Sequence, residues 1–141
     1  MSVVCATAMT SHDFGGAFNM DVPKDSNFVE QPIDFNDSDV INLNEKAYLD
    51  EDNMILVEHV STSLIKQDNV NIFYQYLFES VNLDLNQAYE YQEDNVRVIE
   101  PTSNSDENLA MVGVNSGNDT VMIVGFDVNL LKDMAHSIEF K

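Results

Sequence analysis

The groups whose types and spacing could do chemistry are carboxylates. Asp50, Glu51, Asp52 and Glu58 lie in one segment, Glu79 and Asp84 follow it, and Glu90, Glu93, Asp94 and Glu100 surround a turn-like stretch. Paired carboxylates can run acid–base hydrolysis, and carboxylates on a rigid scaffold can also imitate the phosphate spacing of a nucleic acid. The sequence speaks against hydrolysis: Trp is absent, so a sugar cleft would lack its usual aromatic platform, and no tight catalytic motif accompanies the acids. Ser63, His59 and Glu58 make a nucleophile–base set on paper only, because adjacent positions on a helix point apart and no strand-turn-helix elbow surrounds a serine. Gly15-Gly16 opens no phosphate loop and no lysine follows it. These residues point to no reaction, and the expectation is a non-enzymatic protein with no cofactor.

The most ordered local pattern is Asp34-Phe35-Asn36-Asp37-Ser38-Asp39-Val40-Ile41-Asn42-Leu43-Asn44-Glu45. Read as a twelve-residue calcium loop, it puts Asp34, Asn36, Ser38, Asn42 and Glu45 at the oxygen-ligand positions and Ile41 at the apolar one. It resembles an EF-hand loop to that extent. It departs where the sharp turn requires glycine, since Asp39 stands there, and Pro32 disfavours an entering helix. A chain with 15 Asp and 16 Asn produces such a match readily. His12, His59 and His136 form no His-x-x-x-His or Cys-His pair, and Cys5 is alone, so neither a zinc motif nor an internal disulfide is offered.

Net charge narrows the partners. The chain of 141 residues carries a formal charge of -19, with 25 acidic residues against six basic ones: Lys24, Lys46, Lys66, Arg97, Lys132 and Lys141. Such a surface repels nucleic acid and anionic membrane and speeds association with a basic surface. Direct binding of nucleic acid or membrane is therefore not expected, and the complementary partner is a basic nucleic-acid-binding protein. Solubility is the competing reason for so much charge. The acidity is spread: residues 1–49 carry -6 (eight acidic, two basic), 50–100 carry -9 (eleven, two) and 101–141 carry -4 (six, two). The start of the sequence reads as a poor secretory signal and no stretch of 18 apolar residues occurs, so a cytoplasmic location is expected, that of the host if the protein is phage-encoded.

Periodicity then proposes the elements that hold these groups. A hydrophobic fraction of 44% supports a folded core, and the length suits one domain. Residues 1–37, with Gly15-Gly16, Pro23, Pro32 and scattered Phe, read as an irregular arm pinned to the body or to a partner subunit, ahead of a single α+β domain over 38–141. The Asp50–Asp52 triplet suits a helix N-terminus, and Leu56, Val57, Val60 and Leu64 recur at three and four, predicting a helix over 51–66. Asp68 is placed to cap a second helix over 69–81. Two hairpins follow, over 88–99 and 109–126. The continuous apolar character of the second suggests central strands covered on both faces, or on one face plus an interface. Asp127 caps a last helix over 128–139. The expected fold is α+β: an antiparallel sheet of about four strands packed with two central helices and a C-terminal one.

The leading functional expectation is an acidic inhibitor that occupies a basic nuclease, a restriction or CRISPR-type defence protein, or a polymerase, as a DNA or RNA mimic. Small acidic proteins of phages and mobile elements use this device as a class. The alternatives are an immunity-type or virion assembly protein with an apolar interface, to a partner or within a homodimer, and calcium binding at Asp34–Glu45.

Overall fold

A computed structural model describes residues 8–31, 43–62, 88–101, 109–117 and 119–141. Among the described residues, ten strands and one helix run in the order β1 (Met9–Phe14), β2 (Phe18–Pro23), β3 (Val29–Gln31), β4 (Leu43–Asp50), β5 (Ile55–Thr62), β6 (Ala88–Glu93), β7 (Val96–Pro101), β8 (Ala110–Ser116), β9 (Asp119–Gly125), α1 (Val128–His136) and β10 (Glu139–Phe140). Seven strands form one antiparallel sheet ordered β3-β4-β5-β9-β8-β7-β6, and β1-β2-β10 form a second sheet.

The expected α+β fold with two central helices is therefore corrected to a mostly β one. Residues 55–62 are strand β5, not part of a helix over 51–66. The acidic triplet ends β4 and enters the β4–β5 turn. The misreading has a physical cause. Met54-Ile55-Leu56-Val57 is apolar at every position, so spacings of three and four appear by default, whereas Ile55, Val57 and Val60 are β-branched and favour a strand. A strand buried on both faces has no clean period to read. The helix expected over 69–81 lies outside the described residues.

The arm expected to be irregular is also corrected within residues 9–31. Phe18, Met20 and Val22 alternate with Asn19 and Asp21, and all three are buried, as a half-buried strand requires. Gly15 and Gly16 adopt positive φ of 63° and 77° and turn β1 into β2. The two hairpins expected at 88–99 and 109–126 are present as β6–β7 and β8–β9. The last helix is present too. Asp127 caps it by accepting the Leu130 N–H at 3.2 Å, and Leu131, Met134 and Ala135 are its buried face. It is shorter than expected, because Glu139 and Phe140 leave it to pair with β2.

The main core lies between the large sheet and a cover made of β1-β2-β10 and α1. Tyr48, Ile55, Val57, Val96, Val98, Val112, Val121 and Ile123 supply the sheet side, and Phe14, Phe18, Met20, Leu131 and Met134 supply the cover. Phe14 stacks on Phe18 at 4.9 Å and meets Tyr48 edge-on at 5.2 Å. The alternate positions Ala47, Val60, Ile99, Met111, Met122 and Val124 are also buried, so both faces of the large sheet are out of solvent over its centre. No described helix is long and apolar enough to cross a membrane.

Candidate partner-binding surface

The eight described acids of the expected set fall on two hairpins of the large sheet, β4–β5 and β6–β7. The register aligns Leu49, Leu56, Val124, Met111, Ile99 and Glu90 in one row across it. From that row the β4–β5 turn leaves in one direction and the β6–β7 turn in the other. Glu51 and Asp52 thus sit at one end of the sheet and Asp94 at the opposite end, five strand positions apart. Taking about 4.8 Å per strand and 3.4 Å per residue, the two groups are about 30 Å apart.

At the first end, Asp50 has no exposed surface. Its carboxylate accepts the Asp52 N–H at 3.2 Å and the Asn53 side-chain amide at 2.6 Å, so it holds the turn together. Glu51 and Asp52 are exposed. Beside them a shallow cleft of about 250 Å³ opens between Val29 and Leu49, with Asp50, Glu51 and Asp52 on its rim. Met54 and Phe126, 58% and 40% exposed, emerge at this same end, which makes it apolar as well as acidic.

On the β6–β7 hairpin, Glu93 and Glu100 are bound into the fold. Glu93 accepts from Lys132 at 3.3 Å and pairs with His136 at 2.9 Å, joining hairpin β6–β7 to α1. The His136 contact and then Lys132 lower the Glu93 pKa. Tyr91 donates to Glu100 at 2.9 Å and receives a hydrogen bond from Lys132 at 3.3 Å. Burial and then Glu100 raise the Tyr91 pKa, and the bond to Glu100 raises that of Tyr89. The contact with Tyr91 raises that of Lys132. Each of these groups is moved away from neutrality, which suits a structural clamp and leaves none of the four poised as an acid or base near neutral pH. Glu90 pairs with Arg97 on the other face, and Asp94 is exposed in the turn with a φ of 54°.

The ten expected partner-binding acids are thus not one face. Glu51, Asp52, Glu90 and Asp94 are exposed, Asp50 and Glu58 are buried, and Glu93 and Glu100 are partly buried in the clamp. Glu79 and Asp84 lie outside the described residues. Of the calcium pattern, Glu45 falls within β4, while Asp34, Asn36, Ser38 and Asn42 lie outside the described residues. Among the described residues, no group of three or more His, Cys, Asp or Glu could hold a metal ion.

Sequence reasoning missed Tyr89, Tyr91, Lys132 and His136. The tyrosines share a face of β6 by strand periodicity, and Lys132 and His136 sit four apart on α1, but their meeting depends on how helix and sheet dock. It also missed His59, which is buried on β5, hydrogen-bonds Asp119 at 2.9 Å and meets the Phe18 ring edge-on at 5.4 Å. Comparison with known protein families, curated proteins and solved structures finds no match.

Proposed function

We propose that this protein is a non-enzymatic acidic inhibitor that binds a basic nucleic-acid-handling protein in place of DNA or RNA. The observation that carries the reading is how charge is distributed. Of the five described cations, Arg97, Lys132 and Lys141 are paired to Glu90, Glu93 and Asp13 of the same chain, while Glu51, Asp52 and Asp94 stand exposed at both ends of the sheet. The positive charge is largely neutralised from within, and the negative charge faces outward. The two acidic ends are separated by about 30 Å across the sheet, on the order of one helical turn of duplex DNA, about 34 Å.

The test is capture by the immobilised protein from source or host lysate at low and high salt, with and without competing duplex DNA. A basic nucleic-acid protein displaced by both salt and DNA is the expected result. The double variant Glu51→Lys with Asp52→Lys, and Asp94→Lys separately, should each weaken that capture. Only salt-resistant, DNA-indifferent partners would overturn the reading.

A further inference from the structure

Met54 closes the β4–β5 turn, where hairpin loops take a residue of positive φ that is usually glycine or asparagine. Its φ is 55°, a left-handed conformation that disfavours any residue with a Cβ and suits glycine, yet its side chain is 58% exposed. A large apolar residue held in a disfavoured backbone state with more than half its surface in water adds little to stability, and such outliers gather where a chain meets its partners. Phe126 follows Gly125, whose backbone lies beside Met54. The Met54 carbonyl is 3.6 Å from where a Cβ on Gly125 would lie, so the β4–β5 turn and the end of β9 come together here. Phe126 is 40% exposed and is followed by exposed Asp127, while exposed Glu51 and Asp52 precede Met54.

We propose that Met54 and Phe126, with the flanking carboxylates of Glu51, Asp52 and Asp127, dock a basic amphipathic segment of the partner, one in which apolar residues are flanked by Lys or Arg. Charge complementarity selects this occupant. A second copy of the chain would set like carboxylates against one another, and an uncharged apolar segment would bury them without partners. A segment with both features covers the apolar pair and neutralises its surround. Methionine adapts to varied partners, and aromatic and Met side chains are enriched at interface centres. The inference rests on the basic partner proposed above and adds that recognition there is apolar as well as ionic.

The full chain would be titrated with two labelled peptides of equal charge, one alternating Lys and Leu and one of Lys with uncharged polar spacers, at low and high salt. The Lys/Leu peptide should bind about tenfold tighter, and high salt should weaken it by a smaller factor than it weakens the polar Lys peptide. Met54→Gly, which suits the positive φ, and Phe126→Ser should each weaken it by about tenfold and leave the polar Lys peptide within about twofold. Hydrogen exchange on the unaltered protein should show protection by the Lys/Leu peptide at residues 50–54 and 125–127, a readout that does not depend on how the variants fold. Equal affinity for the two peptides, no binding of the Lys/Leu peptide, or protection elsewhere would overturn the proposal. The two readings fail separately. Peptide binding without DNA-displaceable capture removes the nucleic-acid target and keeps this surface; capture without peptide binding does the reverse.

Discussion

Replacing Phe18 by alanine decides whether residues 9–23 are part of the core or a detachable arm. Phe18 is fully buried, stacks on Phe14 at 4.9 Å and meets His59 edge-on at 5.4 Å. Removing a buried Phe side chain costs about 3–5 kcal/mol, and each ring contact is worth about 0.5–1.5 kcal/mol beyond its area, which puts Phe18→Ala toward the upper part of that range. Against a total stability of about 5–15 kcal/mol, the variant should lose a third or more. Urea denaturation followed by circular dichroism should show the midpoint falling with an unchanged slope. The melting temperature should drop by roughly 10–15 °C. Val29→Ala is the control: Val29 is 52% exposed, and its loss should stay within about 0.5 kcal/mol. A cost for Phe18→Ala below about 1 kcal/mol would refute the packing of the small sheet on the large one.

Two further outcomes follow from the same geometry. Gly15→Ala should cost more than Gly16→Ala. Both have positive φ, but a Cβ on Gly15 would stand 2.8 Å from the Tyr48 hydroxyl, whereas one on Gly16 meets nothing within 4 Å. The backbone term is about 1–2 kcal/mol at either site, and displacing Tyr48 adds about 1–3 kcal/mol, so equal denaturation midpoints would sink the argument. The clamp on hairpin β6–β7 should be pH-dependent at both extremes. The Glu93 pKa is lowered on folding, so its contribution is complete above the ordinary glutamate range and disappears as pH falls through the lowered value. The Tyr89 and Tyr91 values are raised, so the contribution of their neutral forms is complete below the ordinary tyrosine range and is lost as pH rises through the raised values. Absorbance titration should show at least three late-ionising tyrosines, because burial raises Tyr48 as well, and Glu100→Gln should return Tyr89 toward the ordinary range; unshifted Tyr89 and Tyr91 in the unaltered protein would contradict the clamp.

What the sequence made legible were elements with their own punctuation. Hairpins β6–β7 and β8–β9 carry turn residues between runs of β-branched or aromatic residues, and α1 carries both a capping aspartate and a spacing of three and four. Strand β5 was misread because its neighbours on both sides are buried by tertiary structure, and no local rule separates a fully buried strand from a helix. The β1–β2 hairpin was missed for a different reason: its alternation, Phe18-Asn19-Met20-Asp21-Val22, is short and sits in a stretch whose glycines and prolines suggested irregularity. Those glycines are the turn itself. The small sheet closes only when β10, more than a hundred residues later, pairs with β2, and nothing local announces such a contact.

Charge shows the same division between composition and placement, and it changes how the functional proposal must be tested. All ten acids read from the sequence looked equivalent. Asp50 turned out to tie the β4–β5 turn, Glu93 to tie α1 to the sheet, and Glu58 to lie 8% exposed within a central strand. Reversing any of these three would bury an unpaired cation or break a structural hydrogen bond, and a loss of partner binding could then come from damage to the fold. Glu51, Asp52 and Asp94 are exposed in turns, where reversal leaves the core untouched and alters only the field that a basic partner meets. If reversal at these three leaves partner capture unchanged while melting temperature also holds, the acidity serves solubility, and the apolar pair at Met54 and Phe126 remains as the surface to pursue.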